Sequence, residues 1–147
     1  MERGAASSSR FQLSRRPDDT DRDRLAHVLL VEDSALVTDA LRILLEASNR
    51  RVSVAASIAD ALTVGGTDPA ALVLVDLTLP DGDGLALIEP LRAAGCRTFV
   101  ALTGHDDAST AARCRAAGCA DVLVKPVPAR ELIGKVAQWV DGVNDVA

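Results

Sequence analysis

The sequence predicts an α/β fold: a parallel five-stranded sheet covered by helices on both faces. Three observations predict it. From Ala26 onward, short apolar runs alternate strictly with segments of helical periodicity, five of each. The run at residues 70–76, AALVLVD, is apolar at consecutive positions rather than every second one, as in a strand buried on both faces. The apolar share is mostly Ala, Val and Leu, with Phe11, Phe99 and Trp139 as the aromatics, which suits aliphatic packing between helices and a sheet.

The elements follow in order. HVLLV (27–31) is the first strand, and SALVTDALRILLEAS (34–48) sets Val37, Ala40, Leu41 and Leu44 at helical spacing. RVSVAA (51–56) alternates as a second strand; Ser57 then caps the helix IADALTVGG, which Gly65 and Gly66 are expected to stop. The third strand is 70–76. GLALIEPLRAAG (84–95) reads as a helix interrupted or kinked by Pro90 and closed by Gly95. TFVALT (98–103), the helix at 106–118, ADVLVK (120–125) and the helix at 128–142 complete the alternation. Strands joined through helices lie parallel with right-handed crossovers, and ligands of such sheets sit at the carboxyl ends of the strands.

A chain of 147 residues suits a single domain. The formal charge is −5, and residues 1–24 are nearly neutral with six Arg against five acids, so the folded part is acidic and unsuited to nucleic acid. Cys96, Cys114 and Cys119 have no CxxC spacing and read as packed, reduced thiols of a cytoplasmic protein. No apolar run reaches the ~20 residues needed to cross a bilayer, so no membrane role is expected. Residues 1–25, rich in Arg, Asp and Ser, are expected to form a disordered tail. The domain should span 26–142, with a short tail at 143–147. With no room for an output domain after the fifth helix, the chain is expected to stand alone and to act through other proteins.

The strand ends carry the chemistry. Glu32 and Asp33 close the first strand, Asp76 the third, Thr103 the fourth and Lys125-Pro126 the fifth. Three acids on one rim repel one another and call for a cation when ionised. Oxygen-only ligands suit Mg²⁺ with a phosphoryl group. A carboxylate can itself attack phosphorus to give an aspartyl phosphate, while an ammonium and a hydroxyl hold the equatorial oxygens.

The ordered set VEDS (31–34), DLTLPDGDG (76–84), LTG (102–104) and KP (125–126) resembles the receiver domain of two-component response regulators over residues 26–142. The resemblance implies a flavodoxin-like (βα)5 fold with strand order 2-1-3-4-5. Asp76 would be the phosphoacceptor. Mg²⁺ (or Mn²⁺) would be held by Asp33, Asp76 and the Thr78 backbone carbonyl, with Glu32 acting through water or a second contact. Thr103 would be the switch hydroxyl, and Lys125, set by the peptide to Pro126, the phosphoryl partner. Thr78 and His105 would tune the acyl-phosphate lifetime. The donor would be a histidine kinase or a phosphotransfer protein, meeting the first helix near Ala35, Leu36 and Thr38 and the loop after Lys125. Leu36 and Ile43 widen the apolar stripe of that helix beyond what one buried face needs.

The protein would be a monomer or weak dimer and not a conventional enzyme. Two departures stand out. Val122 replaces the aromatic that many receivers carry three residues before the Lys, which puts the usual Thr-aromatic coupling in doubt, and Val127 replaces a common Phe. A receiver-like interaction module that no longer takes phosphate is the alternative. A haloacid-dehalogenase-like phosphatase fits poorly, because Thr78 stands where its general acid is needed.

Overall fold

The computed structural model describes residues 25–141. The expected tails, apart from Leu25, lie outside the described residues. Five parallel strands form one sheet: β1 (Ala26–Val31), β2 (Arg50–Ala55), β3 (Leu72–Asp76), β4 (Thr98–Thr103) and β5 (Asp121–Val124). Their order is β2-β1-β3-β4-β5. The order reverses between β1 and β3, so the crevice at that switch point opens between Glu32-Asp33 and Asp76.

Helices α1 (Ala35–Ala47) and α5 (Ala129–Val136) cover one face of the sheet. Leu41, Leu45, Leu132 and Val136 pack there on Val28, Leu30, Leu74, Val100 and Leu102. Helices α2 (Ile58–Thr67), α3 (Ile88–Ala94) and α4 (Ala108–Ala117) cover the other. Ala61, Leu91 and Cys114 meet Leu29, Val73, Val75, Phe99 and Ala101 on that side. Every residue of β3 is buried, because helices lie on both sides of it, and this is why its sequence is an unbroken apolar run.

Local signals place the helix starts. Ser34 accepts from Val37 N–H at 3.4 Å, Ser57 from Asp60 N–H at 3.1 Å and Asp107 from Thr110 N–H at 2.6 Å, each cap contributing about 1 kcal/mol. Gly95 and Gly118 close α3 and α4 with φ of 115° and 108°, a left-handed backbone that side chains avoid.

Three expectations need correction. Gly65 and Gly66 do not stop α2, which runs through both to Thr67. Gly65 is a packing gap: a Cβ there would lie 2.6 Å from Leu91 Cδ2 and 3.2 Å from Leu29 Cδ2. The helix at 84–95 breaks before Pro90 and not at it. A 3-10 turn (Gly84–Leu87) leads into α3, and Pro90 sits in the first turn of α3, where a missing N–H costs little. The last helix also differs, ending its α-helical part at Val136 and continuing as a π-helical turn over Ala137–Asp141.

Cys96, Cys114 and Cys119 are free and buried, as expected. Among the described residues, no helix is long and apolar enough to cross a membrane.

Candidate functional site

The strand ends bring the predicted residues together. Glu32, Asp33 and Asp76 each place a carboxylate oxygen within 4.8 Å of the others. Glu32 and Asp76 are buried at 2% and 6% exposure, whereas Asp33 is open to solvent. Lys125 reaches across from the end of β5: its Nζ donates to Glu32 Oε1 at 2.9 Å and to Asp76 Oδ2 at 3.2 Å. One ammonium thus sits between two buried carboxylates, in a crevice whose third carboxylate faces the opening.

The protonation balance of this group follows from its burial. Desolvation pushes Glu32 above the ordinary carboxylate value, and the nearby Asp76 charge adds to it, against hydrogen bonds from Lys125 and from Ser34 N–H that pull it down. Burial works against the charge on Lys125. The Glu32 hydrogen bond and the Asp76 charge outweigh that cost and hold the ammonium above its ordinary value. The two carboxylates and the ammonium therefore depend on one another, and the crevice favours added positive charge.

Asp76 holds its own loop. Its Oδ1 accepts from Thr78 N–H at 3.0 Å, and the Thr78 side chain points to solvent. Gly84 lies so close to the Asp76 backbone that a Cβ would come within 2.0 Å of its carbonyl oxygen, so only glycine lets the loop return there. Thr103 is buried at 2% exposure, and its Oγ1 accepts from the backbone N–H of His105 at 3.0 Å. The His105 side chain is exposed. The Lys125–Pro126 peptide, expected to set the position of Lys125, is cis.

Other sequence-derived candidates land differently. Thr38 is buried and its hydroxyl donates to Ala35 O at 3.1 Å, so it belongs to the packing of α1 and not to its outer surface. Leu36 and Ile43 are exposed, at 84% and 66%. Leu36, Val37, Ala40 and Leu41 form one wall of an apolar groove of about 420 Å³, and Lys125, Pro126 and Val127 form the other. Val122 is half-buried beside a cleft of about 410 Å³ that also touches Ala111, Cys119 and Ala120.

The sequence singled out Thr78 in the loop after Asp76 but passed over Asp81 and Asp83. Asp81 accepts from the first two amides of α2, Ile58 N–H at 2.8 Å and Ala59 N–H at 3.1 Å. Asp83 accepts from Leu85 N–H at 2.9 Å and from Arg113 Nη1 on α4 at 2.6 Å. Acids alternating with glycine in DGDG read as turn chemistry, and nothing local says that such acids reach helices elsewhere in the chain.

The response regulator receiver domain model matches residues 28–137. The chain belongs to this family. Among its relatives are the swarming motility regulation protein RssB of Serratia marcescens, 40% identical over 114 residues, and the KDP operon transcriptional regulatory protein KdpE of Escherichia coli, 33% identical over 108. These matches cover 75% and 74% of this chain but 51% and 48% of the relatives, so the chain spans about half the length of the curated relatives it matches. A CheY-like response regulator receiver domain protein from Methanospirillum hungatei JF-1 superposes with a TM-score of 0.74 at 26% identity, covering 80% of this chain and 95% of that one. The non-phosphorylated HemR receiver domain from Leptospira biflexa gives 0.72 at 28% identity over 81% and 97% of the two chains. The five-stranded doubly wound sheet is thus the flavodoxin-like fold of receiver domains, and the chain is a receiver domain of the two-component type.

Proposed function

We propose that this receiver domain accepts a phosphoryl group on Asp76 from a phosphohistidine donor, in a reaction that depends on Mg²⁺. The observation that carries the reading is the all-oxygen cluster of Glu32, Asp33 and Asp76 within 4.8 Å, with Lys125 Nζ against two of its members. An oxygen-only donor set with surplus negative charge fits Mg²⁺, held by Asp33, Asp76 and the Thr78 carbonyl, with Glu32 nearby or through water. Mn²⁺ would suit the same ligands. When bound, the ion supplies charge neutralisation for the phosphoryl oxygens.

The chain's own residues do the rest. An Asp76 carboxylate oxygen attacks phosphorus as the P–N bond to the donor imidazole breaks, and the departing ring nitrogen keeps the bond's electron pair and takes a proton from solvent to leave as neutral imidazole. The product is an acyl phosphate on Asp76. Lys125 exchanges an Asp76 oxygen for a phosphoryl oxygen, and the Thr103 hydroxyl supplies a further hydrogen bond once it turns toward the new group. Water later attacks phosphorus, breaking the bond to Asp76 and restoring the carboxylate. Thr78 and His105, exposed after the ends of β3 and β4, tune its rate. The donor, a histidine kinase or phosphotransfer protein, seats on the apolar groove between α1 and the Lys125–Val127 segment. The signal passes to a further protein.

Intact-protein mass after incubation with acetyl phosphate tests the reading. Wild type should gain one phosphoryl group only when Mg²⁺ is present, and folded Asp76→Asn should gain none. A phosphorylated Asp76→Asn protein overturns the site. Folded wild type that stays unmodified points instead to a receiver-like interaction module.

A further inference from the structure

The loop between Asp76 and α3 carries the carbonyl assigned to the ion, and a carboxylate outside the acceptor cluster pins it. Thr78–Leu79 pairs antiparallel with Gly82–Asp83, which puts Pro80 and Asp81 at the tip of a tight turn. At that tip, both Asp81 oxygens bond to the first two amides of α2, at 2.8 and 3.1 Å. These bonds hold the Asp81 carboxyl below its ordinary value, with that from Ile58 the larger influence. The base of the turn is fixed as well: Gly84 N–H donates to Leu77 O at 3.0 Å, and Leu77 N–H to Leu102 O at 3.2 Å. The Asp83–Arg113 pair on the α4 side is half-exposed on both partners, so solvent weakens it.

A short two-residue ladder has little stability of its own. What keeps Thr78 in register is therefore its own N–H bond to Asp76 Oδ1 at 3.0 Å together with the anchored base and the anchored tip, and the tip anchor is Asp81. The α2 cap does not need Asp81 alone, since Ser57 already accepts from the third amide of that helix, Asp60 N–H.

We propose that Asp81 is a positioning residue for the cation: by tying the loop tip to the N-terminus of α2, it fixes the Thr78 carbonyl relative to Asp33 and Asp76. The inference rests on the metal-dependent acceptor reading above. Linkage makes the coupling reciprocal. An ion that draws on the Thr78 carbonyl tightens the loop, and the loop tightens its grip on the Ile58 and Ala59 amides.

Calorimetric Mg²⁺ titration and amide hydrogen exchange on the full chain, without any phosphodonor, provide the test. Asp81→Ala should weaken Mg²⁺ binding about tenfold, the lower end of the loss expected when a group holding a metal ligand is removed. Asp81→Asn, which keeps one acceptor oxygen, should recover most of that loss. Ser57→Ala weakens the same helix cap without touching the loop, and should leave Mg²⁺ affinity at the wild-type value. In wild type, Mg²⁺ should slow exchange at Ile58 and Ala59. Asp81→Ala that binds Mg²⁺ as tightly as Ser57→Ala, or exchange at these amides that ignores Mg²⁺, overturns the proposal and leaves Asp81 as a helix cap. Wild type that neither binds Mg²⁺ nor accepts phosphate overturns the acceptor reading, and this inference with it.

Discussion

Single residues in this chain show how burial decides what a charge can do. Lys125 is tolerable between Glu32 and Asp76 because both carboxylates are desolvated and need its charge, and its removal leaves them uncompensated. His27, at the start of β1, is the counterexample, a buried group kept neutral. It is 4% exposed; its Nδ1–H faces Pro69 O at 3.4 Å, and its Nε2 accepts from the Ser53 hydroxyl at 2.7 Å. Burial lowers its pKa below 6.5, against the Pro69 hydrogen bond and the Asp68 charge and with the help of the Arg51 charge. The neutral form is thus the native one. Between its folded value and 6.5 the unfolded chain binds the extra proton, so stability present above 6.5 is lost as pH falls through that window. Asp68, lowered first by its Arg51 hydrogen bond, loses its contribution only below 3.8, in a separate window. Urea unfolding between about pH 7.5 and 5.5 should show wild type losing stability at up to about 1.4 kcal/mol per pH unit relative to His27→Gln. Parallel profiles for the two proteins would mean that His27 protonates in place without penalty.

At the scale of elements, the paired glycines of α2 give opposite expectations. A Cβ added at Gly66 would meet nothing within 4 Å, so Gly66→Ala should stabilise by about 0.5–1 kcal/mol through helix propensity alone. Gly65→Ala gains the same propensity but drives a methyl to 2.6 Å from Leu91 Cδ2, the end of a side chain 1% exposed in the packed core, and should destabilise by about 1–3 kcal/mol. Thermal unfolding of the two variants side by side checks both signs. This pair also shows where the sequence stops being legible. The two glycines read alike as breakers, because a packing gap is defined by Leu29 and Leu91 from other elements. The strand and helix order was legible, since alternation and apolar runs are local. So was the rim of Glu32, Asp33, Asp76, Thr103 and Lys125, since strand ends converge once the sheet is parallel. The anchors at Asp81 and Asp83 were not, because their partners lie 22 or more residues away along the chain or on another helix. Thr38 was misplaced for the opposite reason, its position on the helix wheel falling at the edge of the buried stripe, where its hydroxyl turns back to Ala35 O.

For the whole molecule, the proposed acceptor and the proposed donor surface meet at Lys125 but can be tested separately. Asp76 lies at the bottom of the rim, 6% exposed, so the proposed transfer needs a donor imidazole brought to it by contacts made elsewhere. The apolar groove beside Lys125 offers such contacts, and its most exposed wall is Leu36. Ile43, two turns further along α1, is exposed but does not line the groove. Fully burying an exposed Leu side chain is worth about 1.5–3 kcal/mol, and each 1.4 kcal/mol is a tenfold effect on binding. A small phosphodonor needs no groove. Leu36→Glu should therefore slow transfer from a phosphorylated histidine phosphotransfer protein at least about tenfold while leaving acetyl phosphate labelling at the wild-type rate. Ile43→Glu should change neither. Rates of both reactions, measured on the three proteins at one Mg²⁺ concentration, decide the matter. Equal loss with both donors in Leu36→Glu would place the damage in the acceptor site, whereas loss in Ile43→Glu alone would move the docking surface down α1, away from Lys125.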